Sequence, residues 1–200
     1  MSTTVEFDVS AEHRQILLGV ATETIADALR TRRPKLPELA DFDAELTRPH
    51  ATFVTLEDPA ERLLGCIGSI QPAYPLVVDV AKNALMAAFE DPRTSGVGLR
   101  EYESMSVKIS VLSPLEPMSV GSLDELRSAV RPGVDGLLLD AGAHHSTLLP
   151  SVWPKVSGVD EFLEILWAKA GLVPGVWRSE TVMRRYTTVE FGEKGPRDPA

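Results

Sequence analysis

Hydrophobic positions recur along this chain with two spacings, and the alternation between them predicts the order of elements. Ile16, Leu17, Val20, Ala21, Ile25, Ala28 and Leu29 fall on one helical face, and Ser10 is placed to cap a helix running to about Arg30. Pro34 and Pro37 end that pattern. The accompanying Arg32, Arg33 and Lys35 read as a solvated connection whose cations suit a helix C-terminus. A second stripe of Val77, Val80, Ala81, Ala84, Leu85 and Ala88 predicts a helix over 75–90, ended by Asp91-Pro92-Arg93. Ser122 and Glu125 form a capping box for a short helix to about Val130. Phe162, Leu163, Ile165, Leu166 and Ala170 predict another over 159–170, with Gly171 as its stop.

Between these helices the spacing falls to two. Residues 51–57 and 62–68 read as the arms of a hairpin turned by 58–61. The cleanest strand is 105–112, where Met105, Val107, Ile109 and Val111 alternate with Ser106, Lys108 and Ser110. A second hairpin joins 137–140 to 145–149, and 182–191 is the last strand. Residues 94–98 read as a loop, and 192–200 as a flexible C-terminal tail. Laying 53–72 beside 137–154 gives hairpin, proline, amphipathic helix and strand twice, a repeat of pattern rather than of residue identity.

Composition narrows the class. A chain of 200 residues with 44% hydrophobic content suits one compact domain, with room for two lobes. The longest apolar runs fall far short of the roughly 20 residues that span a bilayer. The first ten residues carry Glu6 and Asp8 and no apolar core, so they do not read as a secretory leader, and a cytoplasmic location is expected. One cysteine makes no intrachain disulfide. A net charge of −9 argues against a general nucleic-acid binder, which needs clustered Lys and Arg.

The chemistry concentrates at Cys66, the single cysteine, set among Gly65, Ile67 and Gly68 on the second hairpin arm. Glycines there mark a bulge or a place where another backbone or a ligand comes close. With a period of two, Arg62, Leu64, Cys66 and Gly68 share one face, an assignment that a bulge would shift. A thiol becomes a nucleophile only as thiolate, which a nearby cation or histidine favours. His145 is the candidate catalytic partner of Cys66. Arg62, Gly65, Gly68, Arg93 and Glu116 are the candidate ligand-binding residues. No ligand spacing points to a metal, no cofactor is expected, and Gly96-Val97-Gly98 lacks the rest of a phosphate loop.

The stretch Leu63-Leu64-Gly65-Cys66-Ile67-Gly68 resembles the signature hexapeptide of the AMMECR domain family, also called AmmeMemoRadiSam system protein A, with Leu64 where that family has arginine. Further blocks follow in family order: Phe89 to Arg93, Ile109 to Pro117, Gly136 to Leu139, Ser146 to Trp153, Lys169 to Leu172, then Trp177 and Arg185-Tyr186. The resemblance implies an α+β fold in which a duplicated three-strand, two-helix unit forms one curved, barrel-like, mainly antiparallel sheet flanked by helices. It implies a single AMMECR-like domain over 10–191. It also implies a shared pathway or complex with Memo-like and radical-SAM proteins. Two functions follow from these readings: a small-molecule-binding protein or enzyme with a cleft at Cys66, or a non-catalytic accessory subunit that binds a Memo-like or radical-SAM partner, in either case without nucleic acid or membrane.

Overall fold

The computed structural model of the chain describes residues 8–200, so most of the segment read above for a secretory leader lies outside the described residues. Contacts divide the chain into two compact units, one comprising the residues up to Leu112 together with Val189–Ala200, the other Ser113–Thr188.

The first unit begins with helix α1 (Ala11–Thr31), capped as its sequence predicts by the Ser10 hydroxyl, which accepts from the His13 N–H. The hairpin follows as β1 (Thr52–Glu57) and β2 (Leu63–Gly68), then α2 (Leu76–Phe89), α3 (Leu99–Ser104) and β3 (Ser106–Leu112). The strand β8 (Thr188–Glu193) completes a four-stranded sheet in the order β2-β1-β3-β8. Val54 and Leu56 of β1 and Val107, Ile109 and Val111 of β3 are fully buried in one cluster with Val77, Val80, Ala84 and Ala88 of α2. One face of this sheet is therefore core, and the alternate positions Phe53, Thr55, Lys108 and Ser110 lie on the other.

The second unit holds β4 (Glu116–Pro117), α4 (Leu123–Ala129), β5 (Gly136–Ala141), β6 (His144–Leu148), α5 (Val159–Lys169) and β7 (Thr181–Tyr186). Its sheet runs β4-β7-β5-β6. Leu137, Leu139, Leu148 and Met183 pack with Phe162, Leu163, Leu166 and Trp167 of α5, and Trp153 stacks on Phe162 with ring centroids 3.9 Å apart. The Thr147 hydroxyl and the Leu148 carbonyl bond the buried Tyr186 hydroxyl at 2.6 and 3.1 Å. Replacement of Tyr186 by Phe removes both bonds, leaving the Thr147 hydroxyl with the Leu137 carbonyl alone, and a loss of about 1–2 kcal/mol in urea unfolding is the expected result.

The single curved sheet implied by the resemblance is corrected: among the described residues there are two four-stranded antiparallel sheets and no closed barrel. The cause is local. The strand expected over 182–191 stops at Thr187, whose N–H donates to the Ser113 hydroxyl and whose carbonyl accepts from the Ser113 N–H, so the ladder ends there and the next residues join the other sheet. In both sheets the third strand pairs on the first arm of the hairpin, giving β2-β1-β3 and β6-β5-β7. The helix α3 escapes the sequence pattern because its six residues hold one buried side chain, Tyr102. The segment 192–200 begins inside β8, and Arg197 then donates from its backbone to the Glu103 carbonyl at 2.8 Å and from its guanidinium to Glu193.

Candidate functional site

Cys66 sits at the middle of β2, an edge strand, opposite Thr55 on β1. Thr55 is in turn opposite Lys108 on β3, so Cys66, Thr55 and Lys108 form one cross-strand row on the sheet face away from α2. The Thr55 hydroxyl donates to the half-buried sulfur at 3.2 Å. At the far end of the row the Lys108 ammonium meets the Glu57 carboxylate at 2.6 Å. A cavity of about 340 Å³ opens there, lined by Glu57, Lys108, Ser106 and Lys194.

The outer edge of Cys66 is fastened by a block that the sequence shows only as the end of a helix. Its N–H donates to Asp91 Oδ2 at 2.9 Å, and its carbonyl accepts from Arg93 Nη2 at 2.8 Å. The Arg93 guanidinium also grips both oxygens of Asp91, at 2.9 and 2.7 Å. Asp91 is fully buried, and the Arg93 fork, the Cys66 N–H and the Arg93 N–H hold its carboxyl well below the usual carboxylate range. This carboxylate–guanidinium pair supplies Cys66 with the partners that a further strand would have given, which closes an otherwise open edge. Arg93 thus bonds the backbone carbonyl of Cys66, and its guanidinium also lies within interaction range of the Cys66 side chain.

The flanking glycines have a reason inside the chain. A Cβ on Gly65 would lie 1.8 Å from the Ala87 carbonyl oxygen of α2, and one on Gly68 would lie 2.2 Å from the Phe53 ring. The close approach expected from their sequence is made by α2 and Phe53. The register shifts between Leu56 and Glu57, so that Leu63 rather than Leu64 opposes Glu57. This bulge carries Leu64 to the core, where it packs against the buried cluster of the first unit. The position at which the resembled family has arginine is therefore an apolar contact here. Arg62 is four-fifths exposed and bonds Asp58 in the hairpin turn at 2.6 Å, so its charge is spent at the turn.

The other candidates belong to the second unit. His145 Nδ1 and Asp140 Oδ1 lie 2.6 Å apart across the β5–β6 hairpin, and Arg184 of β7 holds the other oxygen of Asp140. Asp140 thus orients an exposed imidazole while its charge is shared with a guanidinium. Glu116 of β4 accepts from Arg185 Nε at 3.1 Å, directly across the strand pair. The sequence candidates therefore separate into Cys66 with Arg62, Gly65, Gly68 and Arg93 in one unit, and His145 and Glu116 in the other.

Thr55, Lys108 and Asp91 are site residues that the sequence reading passes over. The period-two pattern of 105–112 does put Lys108 on the polar face, but cross-strand register is needed to bring it into line with Cys66. A buried polar cluster was also hidden: Asp79 Oδ2 accepts from the Thr52 N–H and hydroxyl, from Ser69 and from Asn83 at 2.7–3.0 Å. Burial pushes its carboxyl up even so. Its trace in the sequence is two polar residues, Asp79 and Asn83, four apart within an apolar helix. Among the described residues no group of three or more His, Cys, Asp or Glu side chains is disposed to hold a metal ion, and no helix is long and apolar enough to cross a membrane.

A profile of the AMMECR1 family matches residues 18–191. A protein of Thermococcus gammatolerans is 36% identical over 200 residues, covering 96% of each chain. Protein PH0010 of Pyrococcus horikoshii is 37% identical over 201 residues, again 96% of each. The crystal structure of uncharacterized protein PH0010 matches with a TM-score of 0.87 at 34% identity, covering 96% of this chain and 97% of that one.

Proposed function

We propose, from the premise that this chain belongs to the AMMECR1 family, that it is a small-molecule-binding protein whose site is the polar face of the first sheet around Cys66. The row Cys66, Thr55 and Lys108 carries this reading, because it lines up a thiol, a hydroxyl and an ammonium on a face whose reverse is sealed by α2 and whose end opens into a cavity of about 340 Å³. Thr55 donates to the sulfur, which favours electron density there, while the Asp91–Arg93 pair keeps the edge strand rigid. A ligand lying along the row meets the sulfur first and the Lys108–Glu57 pair last. The order shared by the two sheets fits an internally duplicated unit, of which only the first copy carries the cysteine.

Binding is favoured over turnover by the partners of the sulfur. Among the described residues the Thr55 hydroxyl donates to it and the Arg93 guanidinium interacts with it, and no imidazole or carboxylate bonded to it stands ready as a general base. Iodoacetamide labelling of the native protein, read by mass spectrometry, tests the proposal. Cys66 is expected to label without denaturant, to be protected by components of a metabolite extract, and to label severalfold more slowly in Thr55→Val, where the donor to the sulfur is gone. A thiol that labels only in denaturant sinks the reading and favours the accessory role, in which a Memo-like or radical-SAM partner covers a surface of this chain.

A further inference from the structure

A second cavity of the first unit, about 470 Å³, lies against the C-terminal half of α1 and shares no lining residue with the site around Cys66. Its size suits a small organic molecule. Tyr102, on α3, lines it. That side chain is 6% exposed, and no hydrogen bond to its hydroxyl is found among the described residues. Among the described residues no buried side-chain oxygen is left fully enclosed without a partner, so the hydroxyl of this cavity-lining residue is accessible. The charges felt at that hydroxyl are Arg197 and Glu193, which pair with each other, then Arg30 and Glu23, which line the same cavity. A side chain this buried that presents an accessible hydroxyl with no protein partner offers a hydrogen bond to a molecule entering the cavity.

The surroundings favour a cation. Glu23, Asp27, Glu38 and Asp41 contribute four carboxylates to the lining, against Arg30 and Lys35. The C-terminal end of α1, at Thr31, adds the negative pole of a 21-residue helix. Phe42 and Tyr102 bring two aromatic rings, whose faces attract an ammonium. The cavity is also built rather than incidental: Asp27 Oδ2 fixes the Lys35 N–H at 3.0 Å. Arg197, bonded to Glu103 and Glu193, fastens the segment that brings Pro199 and Ala200 into the lining.

We infer that this cavity binds a small arylalkyl ammonium, with the Tyr102 hydroxyl bonding the ligand and the surrounding carboxylates compensating its charge. Isothermal titration calorimetry with phenethylammonium, and with 3-phenylpropionate as the same body bearing the opposite charge, tests this. The ammonium is expected to bind saturably and at least tenfold tighter than the carboxylate. Tyr102→Phe should weaken it about fivefold, the loss of one hydrogen bond, without lowering the melting temperature, since the hydroxyl serves no protein partner. Glu23→Gln, on an exposed side chain, should weaken it as well and remove part of its salt dependence. No saturable binding of phenethylammonium, equal binding of both probes, or unchanged affinity in both variants overturns the inference. Loss of affinity in Tyr102→Phe with a matching drop in melting temperature overturns it too, because the hydroxyl would then be structural. Labelling of Cys66 is independent of all these outcomes, so this inference and the proposed site fail separately.

Discussion

Gly65→Ala is expected to lower stability by about 3 kcal/mol or more, the largest single-methyl effect in the first unit. The added Cβ would stand 1.8 Å from the Ala87 carbonyl oxygen and 2.7 Å from its carbon. Both are backbone atoms of α2, so no rotamer change relieves the clash; either α2 lifts from the sheet or β2 leaves its register. Movement of α2 would open the cluster of Val77, Val80, Ala84 and Ala88 against β1 and β3. Thermal unfolding followed by circular dichroism should show a midpoint lowered by roughly 6–12 °C. Ala87→Gly should not rescue it, because the obstacle is the main chain at 87 and not its methyl group. Gly19→Ala supplies the opposite control. Nothing lies within 4 Å of a Cβ there, in the middle of α1, and a gain of roughly 0.5–1 kcal/mol is expected. A Gly65→Ala protein as stable as the parent would show that β2 and α2 are not held at this distance.

Asp91→Ala is expected to cost about 2–3 kcal/mol near neutral pH. The substitution leaves the Cys66 N–H without its acceptor and the Arg93 fork without its carboxylate. The lower end of the range applies because Arg93 is well exposed and water can take up part of its charge. The effect has a pH signature. A carboxyl whose folded pKa is depressed stabilises the fold fully above its unfolded value, near 3.9, and loses that contribution as the pH falls below it toward the folded pKa. Urea midpoints of parent and variant should therefore differ most at pH 5–7 and converge as the pH drops below about 4. A difference that persists undiminished at pH 3 would mean that packing, not the charge of Asp91, is what the substitution removes. Cys66 labelling should also quicken in this variant, because the edge strand loses its clamp.

Several elements could be read from residues alone because their signals are local. The Ser10 cap, the apolar stripes of α1, α2 and α5, and the alternation in β3 each depend on neighbours within one or two turns or along one strand. The family blocks were legible for the same reason, as short ordered strings. Cys66 stood out by its glycines, and a close approach to bare backbone was correctly implied. What approaches was not, since Ala87 lies 22 positions away from Gly65 and its carbonyl is recognisable only once α2 is docked.

What the sequence determined by itself is the longer helices and the hairpins, their order and the family, all consequences of short-range periodicity and contiguous motifs. The tertiary structure decided the rest. It divided one expected strand between two sheets at Thr187, turned Leu64 inward through a bulge, and spent Arg62 on Asp58. It also set Thr55 and Lys108 in line with Cys66, and gave the edge of β2 to Asp91 and Arg93. Each of these depends on register or on pairing between residues far apart in the chain. A one-residue shift in register reverses which face a side chain occupies, and no local pattern of polar and apolar residues encodes which distant partner a charge will meet.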